Sequence, residues 1–155
     1  YKYSYTAYHP DSHVKFDNHK EYQSIFKKFI HLNKLNNSGD IPRLWSFILN
    51  IKQTMLENIE GDFAEVGVYK GNTSAILAHY AMEQGRKLYL FDTFDGFDSK
   101  DLIGIDDDKK VEFTDTSIEI VEDVIGQNKT SCTFVKGSFP VSIQSIHRLQ
   151  KICSS

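Results

Sequence analysis

The feature that most restricts this chain is a change of apolar rhythm at Glu60. Before it, apolar residues recur every three or four positions. After it, short apolar runs alternate with helical stretches. Phe63-Ala64-Glu65-Val66-Gly67-Val68 reads as a short buried strand ending in a glycine turn. Thr73 to Gln84, rich in Ala, Ile, Leu and Met, reads as a helix that Gly85 stops. Lys87-Leu88-Tyr89-Leu90-Phe91 is the next strand, closed by Asp92. Asp115-Thr116-Ser117 opens a further helix, with Thr116 and Glu119 spaced as a capping box. Its apolar face is Ile118, Val121, Val124 and Ile125, and Gly126 ends it. Thr133-Phe134-Val135 is a third strand, and Ser142 to Leu149 reads as a last helix-like stretch. Strand, helix, strand, helix, strand at this spacing implies an α/β fold, a parallel sheet with right-handed crossovers of the Rossmann-like kind.

Two helices precede the sheet. Tyr22, Ile25, Phe26, Phe29 and Ile30 have helical spacing, and the polar Asn33 to Gly39 segment is expected to end that helix. The next helix starts near Ile41-Pro42, where proline suits a first turn. Leu44, Phe47, Ile48, Ile51 and Met55 form its stripe, and core packing explains that stripe, Trp45 included. The alternating Tyr1-Lys2-Tyr3-Ser4-Tyr5-Thr6 reads as an extended arm, broken at Tyr8-His9-Pro10. The expected organisation is therefore an arm and helix over 1–40 and a partial cofactor-binding domain over 41–155.

Composition removes several alternatives. The chain has 155 residues, of which 40% are hydrophobic and 25% charged, which excludes a disordered tail. No apolar run approaches the roughly 20 residues a membrane-spanning helix needs. A net charge of -3 gives no global attraction to nucleic acid. Cys132 and Cys153 are the only cysteines, so a disulfide scaffold is excluded and a cytoplasmic location is the expectation. The triplets at Asn36, Asn72 and Asn128 match a glycosylation acceptor, but carry little weight without a secretory context. His9, His13, His19, His31, His79 and His147 show no metal-binding spacing, so no metal ligands are assigned.

The chemistry concentrates in Glu65-Val66-Gly67-Val68-Tyr69-Lys70-Gly71, followed by Asn72-Thr73-Ser74 at a helix start. Glycine after a buried strand allows a sharp turn and close approach of a ligand. N–H groups at the helix start favour a carboxylate or phosphate. Tyr69 stands where a dinucleotide site wants a small residue, which disfavours a nicotinamide-dependent oxidoreductase. An acidic residue two before the first glycine is the pattern of adenosylmethionine sites, where it serves the methionine end. Asp92 lies 21 residues beyond Gly71, at a strand tip where a carboxylate can accept from ribose hydroxyls. An ordinary strand-to-helix turn is the plain alternative for the glycine segment.

Gly61 to Gly71, together with Leu88-Tyr89-Leu90-Phe91-Asp92-Thr93-Phe94-Asp95-Gly96-Phe97, resembles the macrocin O-methyltransferase (TylF/MycF-type) family. Val135-Lys136-Gly137-Ser138-Phe139-Pro140 is similar to that family's third-strand segment. The resemblance covers roughly residues 38 to 153. It implies a class I S-adenosylmethionine-dependent O-methyltransferase, commonly using a divalent metal such as Mg, with a small-molecule hydroxyl, that of a sugar, as acceptor. By that resemblance Glu65 and the Gly67–Gly71 turn, Tyr69 included, hold the methionine part, and Asp92 holds the ribose. Thr73 and Thr93 are further cofactor-binding positions, and Ser138 and Phe139 lie near the adenine.

The family's metal-binding and catalytic carboxylates follow its fourth strand, and the chain ends at Ser155 apparently within that strand. Metal and catalytic residues are therefore not assigned, and Asp106-Asp107-Asp108 reads as a solvated charge run. A second reading is a non-catalytic nucleoside-binding or assembly domain. In the class I topology the Glu65 strand is central, beside the fourth strand. Its open edge is expected to be covered by Ile152-Cys153, a second copy as in a homo-oligomer, or the N-terminal arm.

Overall fold

The computed structural model describes residues 20–37, 41–96 and 113–146. The expected N-terminal arm, most of the acidic loop with Asp106, Asp107 and Asp108, and the Ile152-Cys153 segment lie outside them. The described residues fall into two compact units, divided between Ile59 and Glu60.

The first unit holds helices α1, Lys20–Asn37, and α2, Ile41–Leu56, which pack on each other. Helix α1 runs through Asn33 to Asn37, so the polar segment forms its last turn rather than ending it. Pro42 sits in the first turn of α2, where a missing N–H costs no intrahelical bond. Leu44, Trp45, Ile48 and Ile51 are buried, whereas Phe47 and Met55 are only half-buried. The stripe is core, as its spacing predicts.

The second unit is a three-stranded parallel sheet with its helices. Strands β1 (Phe63–Val66), β2 (Leu88–Asp92) and β3 (Cys132–Lys136) lie in the order β1-β2-β3. Phe63 pairs with Leu88 and Val66 with Phe91, while Asp92 at the tip of β2 pairs with Lys136. Strand β2 is central, and Leu88, Tyr89, Leu90 and Phe91 are all buried, as a strand covered on both faces requires. Among the described residues β1 is an edge. Phe63 and Glu65 are half-buried, but Ala64 is exposed and Val66 is 55% exposed. The expectation of a fully buried first strand is thus corrected: one face is covered and the other open.

Helix α3, Asn72–Glu83, follows β1. Its buried face includes Ser74, Ala75, Ala78 and Ala81, small residues that let the backbone approach its neighbours. Helix α4, Ile118–Ile125, packs on α3. The expected capping box is displaced. Ser117, not Thr116, is the N-cap, and its hydroxyl accepts from the Ile120 amide at 3.3 Å. The Thr116 hydroxyl is already engaged elsewhere, as a donor to the Tyr69 carbonyl. A 3₁₀ segment, Gly126–Ser131, leads into β3. After β3, Val141–Ser145 forms a short 3₁₀ turn where a helix is expected, and residues beyond Ile146 lie outside the described set. Ile143 and Ile146 pack against Tyr89, Phe91 and Val135. No helix of the described residues is long and apolar enough to cross a membrane.

The start of α3 comes close to α4 at Gly71, where a Cβ would stand 2.7 Å from Val121 Cγ1. Gly67, with φ +81°, has nothing within 4 Å of the same point. Gly71→Ala therefore meets both a clash and a left-handed backbone, and is expected to cost roughly 2–4 kcal/mol. Gly67→Ala meets only the backbone penalty, about 1 kcal/mol. Denaturant titration of both variants checks this, and equal losses would contradict the packing account.

Candidate functional site

The turn between β1 and α3 is built from left-handed residues. Gly67, Tyr69 and Gly71 have φ of 81°, 50° and 74°. Glycine adopts this region without penalty, but Tyr69 carries a Cβ and must be held there. Three contacts hold it. Its amide donates to Asp92 Oδ2 at 3.0 Å, its carbonyl accepts from the Thr116 hydroxyl, and its own hydroxyl donates to Asp115 Oδ1 at 2.8 Å. The Phe113 ring stands edge-on to Tyr69 at 4.9 Å. The Lys70 ammonium pairs with Asp115, and that donor holds the Asp115 carboxyl below the usual carboxylate range. The turn closes through Gly71 N donating to the Val68 carbonyl at 2.9 Å. Gly71 is also the N-cap of α3 and brings no side chain to its first-turn N–H groups, which leaves that helix end suited to an anion.

Asp92 binds the turn to the tip of β2. Its Oδ2 accepts from the amides of Val68 at 2.6 Å and Tyr69 at 3.0 Å. Its Oδ1 accepts from the Phe94 amide at 2.9 Å and lies 3.3 Å from Thr93 Oγ1. The Thr93 hydroxyl donates to the Gly96 carbonyl and so pins the next turn.

Between these turns and the end of β3 lies a cavity of about 560 Å³, within the range of small-molecule sites. Val66, Tyr69, Phe91, Phe113 and Phe139 give it an apolar wall. Asp92, Thr93, Thr116 and Ser138 supply the polar groups. The Phe91 and Phe139 rings meet edge-to-face at 5.7 Å. This is the opening outside the carboxyl ends of parallel strands where such sheets bind ligands.

Of the residues the sequence singles out, Gly67, Tyr69, Asp92, Thr93, Ser138 and Phe139 come together on this wall. Glu65, Gly71 and Thr73 do not line it. Glu65 stands behind the turn, where its carboxylate accepts from the buried Ser74 hydroxyl at 2.5 Å. Gly71 packs on Val121, and Thr73 lies half-buried in the first turn of α3. Sequence reasoning misses Phe91, Phe113 and Thr116. Phe91 reads only as a buried strand residue, Thr116 as a helix cap, and nothing in the spacing marks Phe113. Among the described residues no group of three or more His, Cys, Asp or Glu side chains could hold a metal ion.

A glycine turn, an acid at the neighbouring strand tip and a cavity above parallel strands define a Rossmann-like fold. A family model described as macrocin-O-methyltransferase (TylF) matches residues 40–139, and the chain belongs to that family. Among solved structures, the one titled "Structure of the O-methyltransferase NovP" is similar in fold, with a TM-score of 0.50 and 19% identity. The match covers 64% of this chain and 46% of that one, so this chain spans under half the length of NovP. No curated protein matches the chain.

Glu65 gives the site a pH dependence. Burial pushes its carboxyl up to about 7 from an ordinary 4.5, the Ser74 hydrogen bond opposes this, and the negative charge of Asp92 adds to it. A carboxyl raised in the folded state stabilises the fold fully below the unfolded value, and that stability is lost as pH rises through the folded value. The ligand-free protein should thus lose on the order of 2–3 kcal/mol between pH 4.5 and 7 from this group. Glu65→Gln should flatten that part of the profile. Urea titrations of both proteins across this pH range measure the difference, and parallel profiles would refute it.

Proposed function

We propose that this chain carries the donor-binding part of an S-adenosylmethionine-dependent O-methyltransferase acting on a small-molecule hydroxyl, with a glycoside as the finer assignment. The observation that carries the reading is the aromatic cavity onto which the Gly67–Gly71 turn and Asp92 both open, in a chain of the TylF family. NovP, titled an O-methyltransferase, shares the fold and so agrees with it. We take residues 41–155 as the cofactor-binding part, preceded by an arm and helix over 1–40, and we place the protein in the cytoplasm.

The cavity suits the cofactor's three parts. Phe139 and Ser138, at the end of β3, offer a ring face and a hydroxyl to the adenine. Asp92 and Thr93, at the end of β2, border the ribose. Beside the cavity, the first turn of α3, with Thr73, offers the methionine carboxylate the positive end of the helix, next to the Gly67–Gly71 turn. Glu65 supports the ammonium end as a charge behind the turn. Adenosylmethionine, when bound, supplies an electrophilic methyl on its sulfonium. What the chain's own residues contribute is orientation and a wall of Val66, Phe91, Phe113 and Phe139 that keeps water from the donor. The described residues offer no donor set for a divalent ion, and no described residue is assigned as the base.

Ligand-induced stabilisation tests the reading. Adenosylmethionine or its demethylated product at 100 times its dissociation constant should add about 2.7 kcal/mol to the unfolding free energy, and NAD should add nothing. Stabilisation by NAD alone would reverse the assignment, and stabilisation by neither would remove it.

A further inference from the structure

Of the three residues with a Cβ that hold a left-handed backbone around the cavity, Tyr69, Phe94 and Phe113, two stand in the turns that leave β1 and β2: Tyr69, with φ 50°, and Phe94, with φ 52°. They belong to different turns, one after β1 and one after β2. Both donate their amide N–H to the same side chain, Asp92, at 3.0 Å and 2.9 Å. A third amide, Val68 N, reaches Asp92 Oδ2 at 2.6 Å. Left-handed backbone is disfavoured wherever a Cβ is present, and it persists only where surrounding bonds fix it. Hydrogen bonds from N–H groups to an ionised carboxylate are the strong kind.

The lone pairs of this carboxylate can be followed one by one. A carboxylate has about four acceptor sites, two on each oxygen. Val68 and Tyr69 take both sites of Oδ2, and Phe94 takes one of Oδ1. Thr93 Oγ1 lies 3.3 Å from Oδ1 and also reaches the Gly96 carbonyl, the shorter of its two acceptor contacts, and its single proton serves one of them. At most one site of Oδ1 is left. A ribose presents two adjacent hydroxyls, and a carboxylate that holds both uses an acceptor for each.

We propose that Asp92 is a positioning residue that staples the turn after β1 to the turn after β2, and that it takes at most one ribose hydroxyl through Oδ1. This rests on the donor-binding reading above for the ribose half alone; the staple is a property of the ligand-free chain. The cofactor contacts at Gly67 and Tyr69 and those at Thr93 then share one anchor. Loss of Asp92 should loosen the methionine and ribose sides together.

Two measurements decide it. Amide hydrogen exchange on ligand-free wild type and Asp92→Asn reads the staple. An amide side chain keeps one acceptor oxygen and turns an NH2 group toward the donors on its other side, so either the Val68 and Tyr69 amides or the Phe94 amide should exchange at least tenfold faster, with Leu90 in mid-strand unchanged. Unchanged exchange at those three amides would overturn the proposal. Calorimetric titration of wild type with S-adenosylhomocysteine and its 2′-deoxy and 3′-deoxy forms reads the ribose contact and needs no variant. One deletion should weaken binding about tenfold and the other less than twofold. Tenfold losses from both would mean that Asp92 grips the diol with both oxygens, and the proposal fails. Failure of all three compounds to bind would remove the donor reading, and the exchange result would then decide the staple alone.

Discussion

The second unit depends on one constraint, the need to leave β1 abruptly and start α3 within a few residues while an acid on β2 stays close to the turn. The chain meets it by placing left-handed residues at Gly67, Tyr69 and Gly71 and drawing the amides of Val68 and Tyr69 onto Asp92. Gly67 N still donates to the Phe91 carbonyl at 2.9 Å, so the turn begins in register with β2. Gly137 N donates to the Asp92 carbonyl at 2.9 Å, which ties the exit of β3 to the same residue. The exits of all three strands thus meet at Asp92, by side chain or by backbone. The cavity follows, because its walls are the residues these exits carry.

Packing sets the remaining geometry. Helix α3 lies close to α4 because Gly71 lacks a side chain and Val121 fills the space. This fixes where α4 starts and therefore where Thr116 and Asp115 stand, one residue or two before its Ser117 cap. Thr116 and Asp115 in turn hold Tyr69 at its carbonyl and its hydroxyl. The same valine that closes the helix contact thereby helps keep Tyr69 in a conformation its Cβ disfavours. The apolar contact and the polar one are linked through a few residues of backbone.

The order of elements was legible because periodicity reports which faces are buried, and β2, covered on both faces, shows it most plainly in Leu88 to Phe91. Gly67, Gly71 and Asp92 were legible for a different reason: a sharp turn and an acid at a strand tip need particular residue types. Edge position was not legible for β1, since Phe63, Ala64, Val66 and Val68 are apolar whether or not a neighbour covers them. The cap of α4 was misread because Thr116 and Ser117 are both good caps, and only the nearness of the Tyr69 carbonyl chooses between them. That contact spans 47 residues of sequence, beyond any local pattern. Phe113 reaches the cavity by the same kind of long-range closure.

The two acids near the turn, Glu65 and Asp92, have opposite surroundings although they share one pattern in the sequence. Asp92 receives three backbone N–H groups as hydrogen-bond donors. Glu65 receives one hydroxyl, is largely removed from water, and faces the charge of Asp92. Its negative form is the costly one, and it stays poised near neutrality. A cation arriving near Glu65 would relieve that cost, whereas at Asp92 a cation would compete with donors already in place. The pair therefore sets two electrostatic surroundings about the turn. Glu65, behind it, gains from a positive group, and Asp92, on the cavity wall, gains from neutral hydroxyl donors. Under the donor-binding reading proposed above, a sulfonium amino acid joined to a ribose would bring its ammonium toward Glu65 and its hydroxyls toward Asp92.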